Sequence, residues 1–89
     1  MTDDARWTDI KRSLPVGKEV TGRVARTMPF GLVIYLDGHP GVLAVVDAAS
    51  FLSGGAVAPQ SDWPGVGSAL GARVIDHSEH NRQVKLRVE

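Results

Sequence analysis

No cysteine occurs in the 89 residues. That excludes disulfides and zinc–thiolate centres, so nothing covalent staples so short a chain. No charge of one sign dominates either, because ten Lys and Arg balance ten Asp and Glu. Domains that bind polyanions generally carry a basic surplus, so any contact with nucleic acid must depend on where the charges lie. Aromatic residues make up only 6%, few enough that each can be placed individually. No apolar run reaches the roughly 18 residues a membrane span requires. The acidic start, Met-Thr-Asp-Asp, lacks the basic-then-apolar order of a secretory signal. A cytoplasmic protein without membrane contact is the expectation. Internal repeats and low-complexity tracts are missing as well.

What is present has a globular composition, 43% hydrophobic and 22% charged, at a length that suits one domain with a modest core. Ten Gly and five Pro, set among Val, Leu and Ile, imply short strands joined by tight turns. Residues 3 to 14 are the exception. Trp7, Ile10 and Leu14 recur at offsets of three and four, which is one face of a short helix, with Asp3 or Asp4 as N-cap and Pro15 as its stop. Trp7 and Ile10 are expected to plug the open end of a barrel, in preference to a partner-binding role.

From Val16 onward the period changes to two. A first strand runs over about 18 to 27, with Val20, Gly22 and Val24 alternating against Thr21, Arg23 and Ala25. Met28-Pro29-Phe30-Gly31 makes a turn, and Leu32 to Leu36 a second strand. The dense turn Asp37-Gly38-His39-Pro40-Gly41 joins it to a third strand over Val42 to Val46. Residues 47 to 67 break the rhythm. Ala48 to Leu52 suggest one helical turn with Phe51 and Leu52 as apolar contacts, and the segment continues through Pro59, Trp63 and Pro64 to Gly67. A connection of this length in a small domain points to function or mobility. A fourth strand over about 69 to 76, a polar turn from His77 to Asn81, and a fifth strand from Arg82 to Val88 complete the pattern. Five strands with a partly helical connection between the third and fourth follow the OB-type plan. The fold class expected is all-β, a five-stranded antiparallel barrel. Residues 1–15 form an N-terminal helical segment and 16–89 the barrel domain.

The order of several short motifs narrows this further. Gly17-x-x-Val20-x-Gly22-x-Val24, Pro29-Phe30-Gly31, Gly41-Val42-Leu43, Ala72-Arg73-Val74-Ile75 and Val84-Lys85-Leu86 together resemble the S1 RNA-binding domain, from about Val16 to Val88. The resemblance implies an OB barrel that binds single-stranded RNA on the outer face of strands two and three. Aromatic rings there stack bases while basic side chains track the backbone. The first aromatic position of that pattern is kept as Phe30. The second falls at Val33, the strand-three histidine at Ala44 and an aspartate near the last turn at Ser78. The basic residue entering strand five is Arg82. Alternation sends Tyr35 outward beside Val33, so Tyr35 either replaces the lost ring or is a strand-end tyrosine with its hydroxyl in water.

If Leu43 and Val45 belong to the core, then Val33, Val42, Ala44 and Val46 line the outer face as a bare apolar row. Such a row requires a cover, either the 47 to 67 loop or another protein. Two readings therefore stand side by side. One is a module binding single-stranded RNA weakly and with little sequence preference. Phe30 and Tyr35 would stack bases, Arg26, Arg82 and Lys85 would hold phosphates, and Val33 and Ala44 would lie between them. The other is a protein-interaction module that docks a partner on the apolar row, or a second copy of itself. A monomer is expected.

Catalysis finds little support. His39 is explained by its turn, His77 and His80 flank Ser78 on a solvated hairpin tip, and nothing near Ser78 orients a base or supplies an oxyanion site. Gly65-x-Gly67 lacks the lysine and the further glycines of a phosphate loop. Neither enzymatic activity, nor a metal, nor a cofactor is expected.

Overall fold

The computed structural model describes residues 3–48, 52–53, 56–57 and 60–88. Helix α1 covers Asp3–Ser13, as the apolar spacing requires. The Leu14 amide donates to Ile10 O at 2.9 Å, and Pro15 then prevents continuation. Trp7 and Leu14 are buried in the barrel core with Ile10 packed at its edge, so one face of the helix serves as a lid.

Strands β1 (Glu19–Met28), β2 (Gly31–Leu36), β3 (Ala44–Asp47), β6 (Ala69–Ser78) and β7 (Gln83–Val88) form a closed ring in the order β1-β2-β3-β7-β6. The expectation of a wholly antiparallel barrel is corrected here, since β3 and β7 run parallel. Direction must alternate around an antiparallel ring, and five is odd, so one seam has to be parallel. Inward residues Val24, Leu32, Ile34, Leu36, Ala44, Val46, Ala72, Val74, Val84 and Leu86 fill the interior.

Two glycines make the closure possible. A Cβ on Gly22 would collide with the carbonyl oxygen of Tyr35 on the neighbouring strand. Gly31 has φ +151° and faces the Val46 carbonyl oxygen just as closely. Neither position has room for a side chain, and the second also has a backbone that L-residues avoid.

The long connection carries a small two-stranded ladder, β4 (Leu52–Ser53) with β5 (Ala56–Val57), and a 3-10 turn over Gln60–Asp62. The helical turn expected over Ala48 to Leu52 falls mostly outside the described residues, as does Phe51, while Leu52 itself is in β4. Gln60 Nε2 donates to Met28 O at 3.1 Å, tying the connection to the β1–β2 end. Trp63, three residues on, is buried in the core cluster. Each of the two segments outside the ring thus contributes one tryptophan to its interior.

Candidate nucleic-acid interface

The outer surface follows from register. Leu32 pairs with Val46 and Ile34 with Ala44, and since Leu32 and Ile34 face the core, their partners must as well. Ala44 and Val46 are wholly buried and Val42 packs against the same cluster, while Leu43 is 41% exposed. The expected phase of strand three was therefore inverted by one residue. Val42 to Val46 is an unbroken apolar run, which carries no alternation from which to read a phase. The proposed row of Val33, Val42, Ala44 and Val46 does not exist as a surface, and Ala44 is a core residue unable to touch a ligand. The docking face postulated on that row goes with it.

In its place stands a row with a different chemistry. Arg26 pairs with Val33, Val33 with Val45, Val45 with Lys85, and Lys85 with Asp76. Val33 is half-buried, and Val45 is buried although it lies outside the core cluster. Arg26 reaches this face only through an irregularity. The register slips between Val24 and Arg26, leaving Ala25 as a bulge, so Arg23 and Arg26 both point outward although they are three residues apart. A matching slip at Ile75 in β6 places Asp76 opposite Lys85.

Beside this row, Tyr35 pairs with Arg23. Tyr35 is 71% exposed, and the Arg23 guanidinium donates from Nη1 to Gly67 O at 3.2 Å. Lys85 Nζ rests on Gln83 Oε1 at 3.0 Å. Phe30 is 49% exposed in the β1–β2 turn, where its own carbonyl accepts the Ala48 amide at 2.7 Å. The structure therefore gathers Arg26, Val33, Tyr35 and Lys85 on one face, with Phe30 at its β1–β2 end. Ser78 pairs with Gln83, and its hydroxyl meets His80 Nδ1 at 3.3 Å.

Arg82 lies elsewhere, in the β6–β7 turn with φ 52°. It lines a cleft of about 190 Å3 together with Arg6, Trp7, Ile10, Gly41 and Leu43. Leu43 was missed as a face residue, and the correct phase of β3 would have found it.

The same end of the barrel is fastened to α1 by a polar cluster. Lys11 Nζ bonds both Glu79 carboxylate oxygens at 3.0 and 3.1 Å and lies 5.6 Å from the Trp7 ring centroid. His77 Nε2 meets Leu14 O at 2.7 Å, and its ring stands edge-on to Trp7 at 6.1 Å. His77, expected in a solvated turn, is thus half-buried against the helix. The Trp7 indole N–H has no partner at hydrogen-bond distance among the described residues. The Glu79 carboxylate feels that N–H at longer range, and Lys11 foremost with Trp7 second holds it below the usual carboxylate range. Among the described residues no group of three or more His, Asp or Glu is placed to hold a metal, and no helix is long and apolar enough to cross a membrane.

Comparison with known proteins gives no matching family model. A curated relative, 4-hydroxy-3-methylbut-2-enyl diphosphate reductase of Clostridium acetobutylicum, is 29% identical over 82 residues. That alignment takes in 92% of this chain but only 12% of the reductase. Among solved structures, a chain of the a/eIF2alpha–aDim2p–rRNA complex from Pyrococcus horikoshii OT3 superposes with a TM-score of 0.70 at 23% identity. It covers 83% of this chain and 44% of that one. A putative exosome complex RNA-binding protein superposes with a TM-score of 0.68 at 19% identity, covering 85% and 43% respectively. The barrel is an S1-like OB fold. The register row lies on the outer face of β1, β2, β3 and β7. That face carries one well-exposed ring, two buried or half-buried valines and three cations, with Asp76 opposite one of them.

Proposed function

We propose that this S1-like barrel binds single-stranded RNA, weakly and with little sequence preference, on the outer face of β1, β2, β3 and β7. The observation that carries the reading is the row Arg26–Val33–Val45–Lys85 with Tyr35 and Arg23 beside it. An exposed ring offers a base a stacking surface, half-buried Val33 adds apolar ground beside it, and cations at the edges of the face hold phosphates. Phe30, at the β1–β2 end, supplies a second stacking ring. Little on the face reads base edges, so tolerance of sequence follows from the same composition. The rRNA complex and the exosome RNA-binding protein among the structural neighbours support RNA as the ligand class.

A backbone amide NMR titration with a short single-stranded RNA tests this. Shifts are expected at Arg26, Phe30, Val33, Tyr35, Val45 and Lys85, fading as salt rises because phosphate contacts release counterions. Absence of shifts at millimolar RNA and low salt would sink the reading.

A further inference from the structure

The cleft beside α1 is built unlike the face next to it. Two arginines far apart in sequence, Arg6 and Arg82, line it over an apolar base of Trp7, Ile10 and Leu43. Among the described residues that line it none is a carboxylate, and Glu79 is engaged by Lys11. Its volume of about 190 Å3 is below the roughly 300–1,000 Å3 of sites that enclose a whole small molecule. A ligand here is held by one fragment, with its remainder outside. Arg6 Nη2 is fixed on Gly41 O at 3.2 Å, which leaves further N–H donors of that guanidinium for an anion. Arg82 keeps a left-handed backbone at φ 52°, a conformation that costs energy outside glycine and recurs where a side chain has to be aimed at a ligand. Leu43 links the cleft to the sheet. It lines the cleft, and it is the exposed residue immediately before Ala44, on the side of the chain that faces out.

We propose that the cleft continues the RNA track. A strand leaving the sheet past Leu43 places one phosphodiester between Arg6 and Arg82, with the attached base or ribose against Trp7, Ile10 and Leu43. Helix α1 is then part of the binding surface as well as a lid. A phosphodiester fits because guanidinium groups grip such oxygens in pairs, while the apolar base suits the nucleoside and gives a bare inorganic anion nothing to gain. The inference rests on the sheet-face reading, and its test separates the two.

Fluorescence anisotropy on the full chain, with oligouridylates of about 4 and about 10 nucleotides, reads the gain from length, within the site sizes of about 4–16 nucleotides known for such barrels. Wild type is expected to bind the longer strand at least about tenfold more tightly. Arg6→Gln and Arg82→Gln each remove most of that gain, and each lowers the salt slope for the long strand by about 0.7. Arg12→Gln, on the same helix but outside the cleft, keeps the gain. Arg82→Gly guards against a folding artefact, since it relieves the left-handed backbone and is expected to raise Tm while still losing the gain. An unchanged ratio of long to short affinity in both arginine variants overturns the role of the cleft and leaves the sheet face standing. Failure of wild type to bind either RNA overturns both.

Discussion

Replacing one hydrogen of Gly31 with a methyl group would drive it into the Val46 carbonyl oxygen and hold an L-residue at φ +151°. Neither neighbour can yield, because both belong to paired strands. Gly31→Ala is expected to cost at least about 2 kcal/mol of stability, measured as a lowered urea midpoint with unchanged slope. Tyr35 is the opposite case. Its ring is largely in water, so Tyr35→Ala leaves the melting curve in place and weakens RNA binding by about 1–3 kcal/mol. Both glycines and the outward Tyr35 were legible in the sequence, since a turn and a strict alternation mark them. Ala44 was not. In a run of five apolar residues either phase buries equal hydrophobicity, and only the pairing of Ile34 with Ala44 decides it.

Among the elements, α1 and the hairpin tip joining β6 and β7 depend on each other. Trp7 is buried between them, and Trp7→Ala is expected to cost about 3–5 kcal/mol, read by thermal denaturation. The Lys11–Glu79 pair contributes in a way that acid reveals. Glu79 titrates lower in the folded chain than in the unfolded one, so its contribution is complete above the unfolded value and fades as pH falls through the folded one. Glu79→Gln should therefore flatten the acid limb of Tm against pH and leave the neutral region little changed, the pair being solvent-exposed. An unaltered acid limb would remove this pair from the account. The helix and four of the barrel strands were readable from their periods, and β3 only from its apolar run between turn signals. The bulges at Ala25 and Ile75 were not, since a single unpaired residue leaves no periodic mark. It is the Ala25 bulge that brings Arg26 onto the face. The latch through His77 was equally silent, because it joins residues 63 positions apart.

Over the whole molecule, a formal charge of zero coexists with a face where Arg23, Arg26 and Lys85 flank apolar ground. Composition could not foretell that sorting, which only register creates. The number of strands was legible, and with it the requirement for one parallel seam. That seam, between β3 and β7, is paired at only three positions, against six along β1–β2 and six along β6–β7. It is the place where the ring has least to lose by parting. A parted ring is an open sheet with two bare borders, and each border is a template for a strand from a second molecule. Warming a concentrated solution to just below Tm and cooling it should trap strand-exchanged dimers, visible by size exclusion and absent from a sample never warmed. The arithmetic of an odd ring thus sets how two copies of this protein can become entangled.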